Sequence, residues 1–351
     1  MKITLLSAFA FIILACNSAQ TNSEKKTTST TTSTTSSTTM SNTVVDYANT
    51  ITADDIRKHL YVYAGDAMEG RMTGSKGQKL AAEYLRNFYQ DQGIASPIEE
   101  NNYYQTIPAE YFTRLSDPQP SENVVAFIKG SEKPEEIIIL SAHLDHVGKD
   151  DEGNVYNGAD DDGSGTIAML EMAEAFQKAV KDGNGPKRSI LFLHVTGEEI
   201  GLLGSKYYTD NPLFPLANTV CNLNTDMIGR IDPNKASSPN YIYLIGSDKL
   251  SQTLHEVSEA VNSKYVNLEL DYTYNDEDDP NRFYYRSDHY NFAKNNVPII
   301  FYFNGVHEDY HKITDTPDKI EYDLMETRTK LIFHTAWEIA NREERITADK
   351  L

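Results

Sequence analysis

Six short apolar runs rich in β-branched residues punctuate the chain, and amphipathic stretches of helical period separate them. The runs are NVVAFIK (123–129), IIILSAH (137–143), SILFLHV (189–195), TVCNLN (219–224), YIYLIG (241–246) and VPIIFYF (297–303). Runs this continuously apolar suit strands covered on both faces. Stretches such as KGQKLAAEYLRNFYQDQG (76–93), GTIAMLEMAEAFQKAV (165–180) and KLSQTLHEVSEAVNSK (249–264) supply that cover. The alternation predicts an α/β sandwich around a largely parallel sheet. In such sheets, sites gather beyond the carboxyl ends of the strands.

Those ends carry one class of residue repeatedly. After IIILSA comes His143, in HLDH, and the next loop brings Asp160, Asp161 and Asp162 in GADDDGSG. Glu198 and Glu199 follow SILFLHVT, Asp226 follows TVCNLNT, and His311 follows VPIIFYF in EDYH. Uncompensated carboxylates gathered at one edge repel one another, whereas carboxylates and imidazoles together form a metal-ligand set. Without a thiolate, these donors suit Zn²⁺, with Mn²⁺ or Co²⁺ open on ligand type alone. The supply exceeds the needs of one ion and predicts a pair of sites sharing a carboxylate. Two ions about 3.5–4 Å apart can clamp a hydrolytic water and polarise a carbonyl.

In order and spacing, the segments GDAMEGRMTGSKGQKLAAEYL, SAHLDHVG, NGADDDGSGTIAMLEMA, TGEEIGLLGS, NTDMIG, RSDHYNFAKNNVP and DYHKITDTPDKI resemble the co-catalytic zinc aminopeptidases of metallopeptidase family twenty-eight. The resemblance covers nearly all of Ala53–Ala340. It implies a three-layer α/β/α sandwich with a mostly parallel mixed sheet and two zinc ions per chain. It also implies peptide substrates with a free N-terminus. On the matching positions, His143 and Asp226 would hold one zinc, Glu199 and His311 the other, and Asp161 would bridge them. Glu198 matches the general base and Tyr310 a tyrosine that steadies the developing oxyanion. Asp145 matches the acid that orients His143 by holding its other ring nitrogen. Asp160 stands where the family often has Asn, which adds a charge without moving the ligand.

Lys2 and the 13-residue apolar run ITLLSAFAFIILA lead to Ile13-Leu14-Ala15-Cys16. That run is the length of a signal-peptide core, shorter than the ~20 residues of a membrane span. Its end resembles a bacterial lipobox, which implies cleavage before Cys16 and acylation of that residue. Of the residues from Thr21 to Thr43, 17 are Ser or Thr, too polar to offset the entropy of ordering. The expected organisation is a signal peptide (1–15), a lipidated Cys and tether (16–43), and a peptidase domain (44–351). Asn17, rather than Asp, favours the outer membrane, at the periplasmic or cell-surface face. The formal net charge of -20 argues against nucleic-acid binding. With only Cys16 and Cys221, a disulfide framework is excluded.

Other histidines read differently. His194, in an apolar strand, reads as a satisfied core residue, and His59, His255 and His334 as packing or surface residues on helices. His146 stays open, as do Asp288 and His289 between pocket and support. Cys221 reads as a buried thiol. NDEDD (275–279) reads as a solvated loop, with Ca²⁺ as its alternative. Two further functions compete: a single-zinc glutaminyl cyclase and a non-catalytic binding module on the same fold. Retention of all five ligands and the base argues against both.

Overall fold

The computed structural model describes residues 44–350, and the signal peptide, Cys16 and tether expected from the sequence lie outside the described residues. Eight strands form one sheet: β1 (Tyr104–Ile107), β2 (Ser121–Ile128), β3 (Lys133–His143), β4 (Arg188–Val195), β5 (Thr219–Thr225), β6 (Tyr241–Ile245), β7 (Glu269–Asp271) and β8 (Ile299–Phe303). Their spatial order is β1-β2-β4-β3-β5-β8-β6-β7. The centre, β4-β3-β5-β8, is parallel. β2 joins it antiparallel on one side and β6 on the other.

The apolar runs are buried on both faces because their alternate residues enter two different cores. On β3, Ile138, Leu140 and Ala142 face one core, and Ile137 and Ile139 the other. The first core is covered by α1 (Ala53–Tyr63), α2 (Lys76–Gln92), α3 (Gly165–Lys181), α5 (Gln252–Tyr265) and α7 (Tyr322–Asn341). The second lies under the shorter α4 (Leu203–Asp210) and α6 (His289–Ala293). Each fully buried Leu, Ile or Phe contributes about 1.5–3 kcal/mol, so these two interfaces dominate stability. Hydroxyl side chains start three helices: Thr52, Ser75 and Ser251 accept from the N–H groups of Asp55, Gln78 and Leu254. Among the described residues, no helix is long and apolar enough to cross a membrane.

The edge strands β1 and β7 are additions to the sequence expectation. Both are short, and each pairs on one side only. Cys221 is a free, buried cysteine, and His194 bonds the Tyr89 hydroxyl at 2.7 Å. In the 275–279 loop, two of the four carboxylates turn to their own backbone: Asp276 accepts from Asp278 N–H, and Asp279 from the N–H groups of Asn281 and Phe283.

Candidate metal centre

The parallel strands end together, and the side chains just past them meet. His143 closes β3, Glu198 and Glu199 follow β4, and Asp226 is the first residue beyond β5. Asp161 reaches them from the connection between β3 and α3, and its peptide bond to Asp162 is cis. Two groups of potential ligand atoms result, His143–Asp161–Asp226 and His146–Asp161–Glu199, with the atoms of each group within 4.8 Å of one another. His143 Nε2 lies 3.1 Å from Asp161 Oδ1 and 3.6 Å from Asp226 Oδ1. On the other side, His311 Nε2 lies 3.0 Å from Asp161 Oδ2 and 3.1 Å from Glu199 Oε2.

These donors fit a divalent cation. His143 Nε2, His146 Nδ1, Asp161 Oδ2 and Glu199 Oε1 are all buried without a hydrogen-bond partner. Unpaired buried polar atoms are costly, and four of them spread over two adjoining ligand groups have natural partners in metal ions. The electrostatics agree. Burial alone would lower the pKa of His143, yet the carboxylates of Asp226 and Asp161 raise it well above the ordinary imidazole range. Negative charge is in excess here, the condition under which a divalent cation binds.

Asp145 differs from its expected role. His143 Nδ1 bonds the Asp145 carbonyl oxygen at 3.0 Å, while the carboxylate Oδ1 stands 3.8 Å away. The carboxylate instead accepts from Thr73 Oγ1 at 2.7 Å and from the Glu198 backbone N–H at 3.2 Å. The main chain therefore fixes the His143 tautomer, and the Asp145 side chain places Glu198. Burial pushes Glu198 well above the ordinary carboxylate range; His143 opposes this, and Glu199, Asp226 and Asp288 reinforce it.

Asp160 and Asp162 are structural. Asp162 accepts from the N–H groups of His143, Gly165 and Met227, so one carboxylate ties β3, the start of α3 and the end of β5 together. A Cβ on Gly165 would lie 2.4 Å from Asp162 Oδ1 and 2.5 Å from the Thr225 carbonyl oxygen, so glycine permits this contact. Asp160 accepts from Gly229 N–H at 2.7 Å and meets His307 Nε2 at 3.1 Å; His307 answers its extra charge.

Further groups position the site from outside it. Buried Arg71 donates to the carbonyls of Leu144, Asn157, Gly158 and Tyr63, stapling the His143–His146 segment to the start of the Asp161 turn. Asp315 accepts from the N–H groups of Asp160 and Asp161. Asp309 pairs with Arg230 at 2.9 Å and Lys319 at 2.6 Å, anchoring the loop on which His311 sits at φ 53°. That left-handed backbone is unusual outside glycine and persists only where surroundings hold it. Ser287 Oγ donates to Asp226 Oδ2 at 2.6 Å, and Asn224 donates to Ser287 in turn. Asp288, buried, accepts from Ser205, and burial raises its pKa to about 7. His289 is a support: its ring bonds the Tyr284 carbonyl and stacks on Phe301.

A cleft of about 360 Å³ opens on the centre, lined by Asp161, Asp226 and Glu198, by Arg286, and by apolar Met227, Phe283, Phe301 and Phe303. Tyr310 also lines it, its ring stacked on His311 at 3.9 Å between centroids. Burial and the nearby Asp161 and Glu199 raise the Tyr310 pKa, so its hydroxyl stays a donor.

A parallel-centred sheet thus gathers imidazoles and carboxylates at its carboxyl edge, with Glu198 lining the same cleft, in an arrangement suited to a divalent metal centre. The chain belongs to peptidase family M28, whose model matches residues 123–336. Leupeptin-inactivating enzyme 1 of Streptomyces exfoliatus is 28% identical over 243 residues, which cover 69% of this chain and 46% of that protein. Aminopeptidase Y of Saccharomyces cerevisiae is 30% identical over 230 residues, 61% of this chain and 38% of that protein. The chain thus spans less than half the length of these two curated relatives. The structure of BSAP, a zinc aminopeptidase from Bacillus subtilis, superposes with a TM-score of 0.64, covering 85% of this chain and 98% of that one. At 16% identity, that likeness establishes the shared fold.

Proposed function

We propose that this protein is a zinc-dependent aminopeptidase that removes N-terminal residues from peptides, using two zinc ions per chain. The observation that carries the reading is the placement of Asp161, which stands 3.1 Å from His143 on one side and 3.0 Å from His311 on the other. A carboxylate shared in this way can serve both ions, one with His143 and Asp226, the other with Glu199 and His311. Zinc bound there would acidify a water and polarise the substrate carbonyl.

The remaining steps belong to the chain's own groups. Glu198, held at its backbone N–H by Asp145, takes the proton of the attacking water and returns it to the leaving amine. The Tyr310 hydroxyl donates to the oxygen on which charge develops. Asp161, Asp226 and Glu198 in the cleft lining attract a free α-ammonium group, and apolar Met227, Phe283, Phe301 and Phe303 accept a side chain. The family membership and the names of the relatives support the same assignment.

Aminoacyl chromogenic substrates, assayed with free and with blocked N-termini, test it. Cleavage should require the free amine, disappear on chelation and return with zinc. Equal cleavage of blocked substrates would remove the exopeptidase assignment. Export and lipid anchoring through Cys16 at a bacterial membrane, read from residues 2–16, complete the proposal.

A further inference from the structure

His146 is buried, and neither of its ring nitrogens has a hydrogen-bond partner. Four other buried histidines are fastened through a ring nitrogen, His143 to Asp145, His194 to Tyr89, His289 to Tyr284 and His307 to Asp160, and a fifth, His334, stacks on Tyr265 away from the site. His146 instead brings Nδ1 to 2.8 Å from Glu199 Oε1 and 3.8 Å from Asp161 Oδ2. At 2.8 Å an imidazole and a carboxylate would ordinarily be hydrogen-bonded. Yet neither His146 Nδ1 nor Glu199 Oε1 forms a hydrogen bond, so the ring does not present that nitrogen toward the oxygen. His143 Nε2 shows the same behaviour 3.1 Å from Asp161 Oδ1. Buried basic atoms this close, unbonded and within 4.8 Å of a further carboxylate oxygen on Asp161, have a cation as their natural partner.

We infer that His146 is a metal ligand, and that the two ions of the proposed centre are therefore held unequally. The inference rests on the metallopeptidase reading and adds to it. Asp161, Glu199, His311 and His146 give one ion four side chains, whereas Asp161, Asp226 and His143 give the other three. Four protein donors are the complement of a closed zinc site, and three leave a position open. The three-donor group is also the one whose Asp226 lines the cleft. The ion beside His146 therefore binds first and is retained, and the ion beside Asp226 exchanges.

The test is a zinc titration of the metal-stripped protein against a chromogenic chelator, joined to zinc K-edge absorption. Wild type should bind two equivalents in two steps, the first at least about tenfold tighter than the second. With one equivalent bound, the absorption fine structure should count two imidazoles per zinc. In His146→Ala the tight step should weaken about 100-fold or more, beyond the loss usual for a supporting residue, while the other step stays put. Far-UV circular dichroism of the metal-free proteins reports folding separately. The wild-type imidazole count needs no variant: one imidazole per zinc in the first-bound site would overturn the inference. So would a His146→Ala protein with both steps unchanged. Failure of wild type to bind zinc at all would instead bring down the metallopeptidase reading itself.

Discussion

The centre is assembled from two kinds of chain, and they are held in place differently. His143, Glu198, Glu199 and Asp226 sit at or just past the ends of β3, β4 and β5. The ladder hydrogen bonds of a parallel sheet fix those ends, and many sequences of the right period would place them alike. Asp161 and the Tyr310–His311 pair ride on long connections outside the sheet. Buried polar side chains fix them: Arg71, Asp315, the His307–Asp160 pair and the Arg230–Asp309 pair. The strand-borne half depends on backbone and pattern, and the loop-borne half on particular side chains from remote segments. Substitutions at the two halves should therefore fail in different ways.

The largest effect is expected on the strand-borne side. Glu198→Gln keeps size and hydrogen bonding but cannot take up a proton as a carboxylate does. Turnover should fall by about 10²–10⁴ with zinc content and folding unchanged. Its neighbour Glu199→Gln should lose metal instead, with activity partly recovered at high zinc. Zinc analysis and turnover measured on both variants decide the matter. Metal loss in Glu198→Gln with retention in Glu199→Gln would reverse the two roles.

On the loop-borne side, the corresponding change costs stability. Arg71→Met preserves much of the volume but strips donors from four carbonyls, those of Leu144, Asn157, Gly158 and Tyr63. The Leu144 carbonyl keeps the Tyr63 hydroxyl and the Gly158 carbonyl the Gly163 N–H, so the buried acceptors of Asn157 and Tyr63 are the ones left unpaired, at about 3–5 kcal/mol in total. Calorimetry of the metal-free protein should show a midpoint lower by roughly 6–15 °C. An unchanged midpoint would mean that Arg71 is not the staple described.

The same division explains what could be read in the sequence. The central strands and their terminal acids are legible because a continuous apolar run and the polar residue that ends it are neighbours in the chain. Asp145 shows the limit: its adjacency to His143 was visible, but not that its carbonyl would take the ring and its carboxylate the Glu198 amide. Arg71, His307 and Asp315 act across 73, 147 and 155 positions, and no local pattern announces such partners. His146 lay within the recognised HLDH motif and stayed open because its orientation depends on how the following loop returns. The edge strands β1 and β7 were missed for a simpler reason. Their four and three residues carry no period long enough to stand out.

The smallest effect sharpens the comparison from behind, on the helix that begins beside the Asp161 turn. Glu171 of α3 is 3% exposed, and its Oε1 has no hydrogen-bond partner. Burial, then Asp55 and Glu174, push its pKa up from 4.5 to about 8. Below the unfolded-state value both states are protonated, and the residue contributes nothing to pH dependence. Between that value and about 8 the unfolded chain releases the proton while the folded one keeps it, so stability falls as pH rises. Above that range the carboxylate is ionised in both states, and the penalty stays constant. Glu171→Gln removes the penalty. It should leave stability unchanged near pH 4 and raise it at pH 9 by about 1–2 kcal/mol, less than the full shift implies because a charged side chain can relax toward water. Urea unfolding of both proteins across that pH range provides the measurement, and parallel curves would show that Glu171 titrates alike in the folded and unfolded states. A stabilised Glu171→Gln background would also let Arg71→Met be studied as a folded protein, so that loss of the loop-borne metal ligands can be separated from global unfolding.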